Sequence, residues 1–325
     1  MLTKSEAIAK LNELGTADQP FSFYCDFLGE HWCIEDSRNK QKSTFCLTID
    51  EPKTNNQISE SNIRNAKFIK HPIGFDEFRK SFDSVIHEIN IGNSFLTNLT
   101  FQTPLETDLS LEKIFHHSNA KYKLLVTNKF VVFSPETFIK IKGDFIYSYP
   151  MKGTINAELP NAKRLILEDI KEKAEHITIV DLIRNDLSQV ALKVEVTKFR
   201  YIDEIQTNEK KLLQVSSEIK GKLGSSWKNE LGSILVKLLP AGSISGAPKS
   251  ETIRIIKENE SYQRGFYTGV CGHFDGKSLD TGVMIRFIKL KGDRLYYTSG
   301  GGITSFSHAE KEYQEMVDKI YLPFH

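Results

Sequence analysis

The 325-residue chain is short of the features that mark an exported scaffold, a membrane span or a nucleic-acid binder. Its four cysteines, Cys25, Cys33, Cys46 and Cys271, include no C-x-x-C pair, so neither a disulfide framework nor a standard zinc pattern is present. Reduced thiols are expected, and Cys25, His31 and Cys33 read as packing rather than as a metal site. The 43 basic residues nearly cancel 42 acidic ones, leaving +1, and no field favours nucleic acid or an anionic membrane as partner. No apolar run approaches the roughly 18 residues of a membrane span. Two lysines and two glutamates between Met1 and Gly15 interrupt the apolar core that a signal peptide needs, and a cytoplasmic location is expected. Neither a G-x-G-x-x-G nor a G-x-x-x-x-G-K phosphate loop occurs.

What is there is an ordinary globular composition, 39% hydrophobic and 26% charged with 21 Phe and 11 Tyr, long enough for a sizeable core. Residues 4–14 and 74–91 carry helical periodicity, the latter through Phe78, Phe82, Val85 and Ile89. The polar stretch 51–62 reads as a loop. Strands are expected at 21–27, 95–101, 123–133, 138–141 and 145–149, the last two turning at Lys142-Gly143-Asp144. A long helix from near Pro160 is expected to bury Ile166, Ile170, Ala174 and Ile177. Strands 283–290 and 294–298 then turn at Lys291-Gly292-Asp293, and a helix spans about 308–320. Grouped strands without strict strand–helix alternation imply an α+β fold with mixed or antiparallel sheets.

Several segments hold chemistry. Glu312, Glu315 and Lys319 are spaced to share one helix face, which by itself is more often a solvated face than a site. Gly300, Gly301 and Gly302 before that helix could expose amides to an anion, or form a plain hairpin. Glu175 is a further carboxylate; if it faced Glu312 and Glu315, oxygen-only donors would indicate Mg²⁺. Glu136 precedes one strand of the 138–149 hairpin and Lys152 follows the other, so an acid and an amine share one end. They could form a salt bridge, or act as general acid and nucleophile. Lowering the lysine from a pKa of about 10.4 towards 7 would cost roughly 4–5 kcal/mol. Ser243 lies in a small-residue loop suited to close ligand approach. Arg286 interrupts an apolar strand and needs an anionic partner, from protein or substrate.

In this order and spacing, Ser-Pro-Glu136, Met-Lys-Gly-Thr154, Ala-Glu175-His, Val-Asp-Leu-Ile-Arg-Asn-Asp186, Gly-Ser-Ile-Ser-Gly-Ala-Pro-Lys249, Arg-Gly-Phe-Tyr267, Ile-Arg286, Gly-Gly-Gly302 and Glu-Tyr-Gln-Glu315 resemble the chorismate-utilising enzymes. That group includes anthranilate, aminodeoxychorismate, isochorismate and salicylate synthases. The resemblance runs from about residue 75 to the end, with 1–74 divergent. It implies a single large domain over 1–325, two packed sheets with helices outside. It implies Mg²⁺ held by Glu175 and Glu315 with Glu312 nearby, binding the ring carboxylate of chorismate with help from Lys319, Gly301 and Gly302. Arg286 and Tyr267 would hold the enolpyruvyl carboxylate, Thr154 and Ser243 would lie near the ring, and Glu136 would protonate the departing C4 hydroxyl.

Lys152 stands where aminodeoxychorismate synthases carry Lys and anthranilate synthases carry Ala. The resemblance therefore implies attack by Lys152 at C2 and displacement by ammonia at C4, giving 4-amino-4-deoxychorismate for 4-aminobenzoate and folate. The early strand 95–100 has no basic residue, unlike isochorismate and salicylate synthases. Leu96 and Leu213 replace the Gln and His of relatives that make aminated products. No glutaminase is expected within these residues, so ammonia would come from a glutamine amidotransferase subunit. The alternatives are anthranilate synthase or another chorismate aminase, and a catalytically silent chorismate-binding subunit that regulates an amidotransferase.

Overall fold

The computed structural model describes residues 1–38, 43–50, 66–206 and 211–324, except for the side chains at 152, 154, 171, 205 and 206. The polar segment 51–62, expected to be a loop, lies outside them. Two sheets carry the fold. The larger runs in the order β1 (Leu2–Thr3), β3 (His31–Asp36), β2 (Phe21–Cys25), β15 (Val270–Phe274), β16 (Leu279–Val283), β9 (Thr137–Lys142), β10 (Phe145–Ser148), β13 (Lys211–Lys222), β11 (Met151–Asn156), with β12 (Leu192–Gln206) also on β13. The smaller runs β14 (Gly246–Ala247), β6 (Leu96–Thr107), β18 (Arg294–Ile303), β17 (Phe287–Lys291), β8 (Phe130–Ser134), β7 (Tyr122–Val126), β4 (Phe45–Ile49), with β5 (Phe68–Lys70) on β6. Neighbouring strands such as β18 and β6 pair antiparallel.

The sheets pack on each other through Tyr24 and Cys271 of one and Phe45, Leu124, Phe130 and Phe287 of the other. Helices cover the outer faces. Helix α1 (Lys4–Thr16) opens with a capping box between Thr3 and Glu6 and buries Ala7 and Leu11. Helix α2 (Phe75–Asn90) buries Phe78, Phe82, Val85 and Ile89, the stripe its periodicity predicts. Each such side chain removed from water contributes about 1.5–3 kcal/mol. The remaining helices are α3 (Leu111–His117), α4 (Ala162–Glu168), α5 (Ile170–Ser188), α6 (Leu231–Leu238), α7 (Gly242–Ser245), α8 (Lys249–Asn259) and α9 (Ala309–Asp318).

Four local expectations are corrected. Segment 123–133 is two strands, β7 and β8, because Asn128 takes a left-handed turn at φ 57°. The helix expected from Pro160 breaks at Asp169, which caps α5 through Glu172 N–H. The face of α5 is also rotated: Ile170 is 81% exposed, while Glu175 and His176 point inward. Segment 283–290 is not one strand but a crossover, with β16 in the larger sheet, β17 in the smaller, and Arg286 at φ 53° between them. Finally, Gly300, Gly301 and Gly302 lie inside β18 opposite Thr100, Leu99 and Asn98. Neither a pre-helix loop nor a hairpin is formed there; a Cβ at Gly300 would sit 2.1 Å from Leu99 O, so strand pairing demands glycine.

Candidate active site

The crossover at Arg286 and the short bend between β8 and β9 bring four of the expected residues together. Glu136 occupies that bend, its N–H donating to Ser134 Oγ at 3.1 Å and its carbonyl accepting from Val283 N–H at 3.0 Å. Ser243 Oγ of α7 donates to Glu136 Oε1, which fixes the rotamer of the acid. Tyr267 is 5% exposed. Its phenol is pushed up first by burial, with Arg286 lowering it and Glu136 raising it among weaker influences, so both lie within electrostatic reach. Behind Glu136 and Ser243 opens a cleft of about 390 Å³ of atom-free space, its mouth included, reaching Tyr149, Ile183 and Asp186. There Asp186 pairs with Lys249 at 2.8 Å; burial raises its carboxyl and Lys249 opposes that rise.

Arg286 is expected to need an anionic partner, from protein or substrate. Its Nε is shielded from solvent and unpartnered, and none of the ion pairs among the described residues supplies it with a carboxylate. The Tyr321 ring lies 5.1 Å from Cζ. Burial lowers its basicity, while Tyr297, Tyr321 and Tyr267, with a side-chain hydrogen bond to Tyr321 among them, act the other way. A shielded cation without a carboxylate among the described residues has the chemistry to receive an anion.

A second group forms where α9 packs on β18. A Cβ at Gly301 would meet Glu312 Oε2 and Glu315 Oε1 at 3.5 Å each and Lys319 Nζ at 3.7 Å, so both carboxylates and the ammonium converge over one bare stretch of strand. Lys319 pairs with Glu315 at 2.6 Å and donates to Gly300 O at 2.8 Å. Gly302 adjoins this group in the same strand. The donors are hard oxygens suited to Mg²⁺, and the absent side chain at Gly301 leaves the space such an ion needs. Among the described residues no set of three or more His, Cys, Asp and Glu is arranged as a metal cage. Glu312 and Glu315 are the two expected ligands that converge over Gly301.

Glu175, 5% exposed, lies on α5, which packs over β11, β12 and β13. His176 beside it bonds Ser217 Oγ at 2.7 Å. Lys152 and Thr154 lie in β11, their backbones paired with Val215 and Gln214 of β13. Because β9 and β10 run antiparallel, Glu136 and the chain entering β11 emerge at the same end, as the hairpin arithmetic implies. One residue escaped the sequence reading. Glu172 Oε2 comes within 2.8 Å of where a Gly153 Cβ would be, with Gly153 at φ 66°. Its spacing of three from Glu175 was the available signal. A further support is Arg264, whose guanidinium pairs with Glu260 at 2.7 Å and donates to Ile244 O at 2.9 Å and Asn98 O at 2.7 Å. It ties the Ser243 loop to the strand opposite Gly302. Leu96 and Leu213, 1% and 2% exposed, are core residues.

The profile of the chorismate binding enzymes matches residues 9–324. A PabA-like protein of Haemophilus influenzae, itself uncharacterised, is 48% identical over 99% of this chain and 97% of its own. Aminodeoxychorismate synthase component 1 of Salmonella typhimurium is 30% identical over 75% of this chain but only 56% of its own length. Among solved structures, the menaquinone-specific isochorismate synthase of Escherichia coli superposes with a TM-score of 0.74 at 16% identity, over 98% of this chain and 81% of that one. Anthranilate synthase component I of Streptococcus pneumoniae gives 0.65 at 28% identity, over 78% and 58%. No helix among the described residues is long and apolar enough to cross a membrane. The profile match over nearly the whole sequence and the H. influenzae relative together show that the chain belongs to the chorismate binding enzyme family.

Proposed function

We propose that the protein is a Mg²⁺-dependent aminodeoxychorismate synthase component, converting chorismate and ammonia to 4-amino-4-deoxychorismate and water. The observation that carries this reading is Arg286, a guanidinium whose shielded Nε has no partner among the described residues, with Tyr267 within electrostatic reach of both Arg286 and Glu136. An acid poised next to an anion receptor suits a substrate whose carboxylate must be anchored while a hydroxyl is protonated and lost.

In this proposal Arg286 and Tyr267 bind the enolpyruvyl carboxylate, and Thr154 and Ser243 flank the ring. Glu136 gives its proton to the C4 hydroxyl, which leaves as water while the Lys152 amine adds to C2. Ammonia then adds at C4 and the lysine departs, its nitrogen–carbon bond pair returning to it. Glu312 and Glu315, with Glu175, would hold Mg²⁺, which when bound neutralises and orients the ring carboxylate; Lys319, Gly301 and Gly302 line that place. Support for the aminating choice is Lys152 itself, together with the named relative from S. typhimurium. A glutamine amidotransferase subunit would supply the ammonia, in the cytoplasm. A second reading, a silent chorismate-binding regulator, draws on Leu96 and Leu213, apolar core positions where aminating relatives carry polar groups.

The test is incubation with chorismate, Mg²⁺ and ammonium chloride, with and without added aminodeoxychorismate lyase. 4-Aminobenzoate that appears only with the lyase is the expected outcome. Anthranilate formed without lyase overturns the assignment, and chorismate bound without turnover supports the regulator.

A further inference from the structure

Beside Arg286 lies a polar group that none of the expected residues accounts for. Tyr297, in β18, is 0% exposed, its hydroxyl buried without a well-formed hydrogen bond. The Tyr321 backbone N–H acts on its oxygen as a long-range donor, while the hydroxyl's own hydrogen has no acceptor among the described residues. Its ring packs 6.0 Å from Phe133, whose N–H donates to Arg286 O at 3.1 Å. It shares an apolar cluster with Ile320, the neighbour of the Tyr321 that covers the guanidinium. Two buried donors, Arg286 Nε and Tyr297 Oη–H, are thus left unmatched in the same corner. Burying an unmatched hydroxyl costs about 1–3 kcal/mol, and such a group in a folded protein calls for an explanation. Phenylalanine would fill the same space without that cost. Tyrosine is understandable there if an acceptor arrives from outside.

We infer that the Tyr297 hydroxyl is a substrate-binding donor that joins Arg286 in receiving the carboxylate of the ligand. This rests on the reading of Arg286 given above and extends it: the anion is gripped by a charged donor at the β16–β17 crossover and a neutral one on β18. A carboxylate offers lone pairs for both, and a hydrogen bond between a neutral donor and a charged acceptor is among the stronger ones.

The experiment compares wild type with Tyr297→Phe, which keeps the ring and its packing. Thermal unfolding is followed without ligand, and chorismate binding is measured by calorimetry with Mg²⁺ present. Expected are an unfolding temperature unchanged or raised, since the hydroxyl donates to no acceptor among the described residues, and a chorismate Kd about tenfold weaker or more. An unchanged Kd overturns the inference, because a trapped water or nothing at all then serves the hydroxyl. A lowered unfolding temperature, or failure to fold, overturns it too, since the hydroxyl is then a structural bond. Wild-type protein that does not bind chorismate overturns the underlying reading of Arg286, a result seen before any variant is made.

Discussion

Glu136 accepts from Ser243 and lines the cleft, so its shape and its acidity can be separated. Glu136→Gln keeps the volume and an acceptor for Ser243 but has no proton of comparable acidity to give. Turnover of chorismate is expected to fall by about 10²–10⁴-fold, with chorismate affinity by calorimetry altered less than about threefold. Full turnover in the variant would remove Glu136 as the acid. Residues of this kind were legible as candidates because each stands in a short, ordered run of distinctive side chains, even where a plain salt bridge was the other reading. Tyr297 was not: in sequence it is one aromatic in an alternating strand, and only the absence of a partner around its buried hydroxyl distinguishes it.

Among the elements, α9 matters most, since it presents Glu312, Glu315 and Lys319 to β18. The weakly resembling N-terminal part holds it in place. Lys70 of β5 donates to Val317 O at 2.7 Å, at the C-terminal end of α9, and Tyr313 OH donates to Ile73 O at 2.8 Å. A cation there also meets the negative end of the helix dipole. Lys70→Met is expected to cost about 1–2 kcal/mol in urea unfolding and to raise the Mg²⁺ concentration needed for half-maximal activity severalfold. Lys70→Arg should restore both. An unchanged Mg²⁺ requirement in Lys70→Met would show that α9 needs no brace from β5. Element boundaries were less legible where the chain turns without Gly or Pro: Arg286 adopts a positive φ that its residue type does not announce, whereas Asn128 is of a type that tolerates one and was an available signal. The rotated face of α5 has another cause. An apolar stripe read by itself cannot foresee that Glu175 and His176 have polar business inside.

For the whole molecule, pH acts on the larger sheet through His273 of β15. Burial pulls its pKa below the ordinary 6.5, with Asp275 and the Phe21 backbone opposing. Its Nδ1 meets Ser22 Oγ at 3.0 Å and Ser37 Oγ at 3.3 Å. The unfolded chain then takes up the proton first as pH falls. The contribution of His273 to stability is present above about 6.5 and lost as pH descends through the lower folded value. Unfolding temperatures between pH 7.5 and 5 should decline with a slope that His273→Gln reduces; an equal slope in the variant would clear His273 of the effect.

Composition, periodicity and ordered motifs were enough, without coordinates, to determine an α+β protein, the helix at 75–90, the hairpin at 142–144 and the alignment of Glu312, Glu315 and Lys319, because those depend on neighbours three or four residues apart or on a single turn. The tertiary structure alone decided that Arg286 stands at the passage between two sheets with no acidic side chain among the described residues to meet it, that the three glycines are strand and not loop, and that Tyr297 hides a hydroxyl beside that arginine. These are facts about which distant segments share a volume. Burial sets their energies, and burial is a property of the assembled sheets rather than of any local stretch of chain.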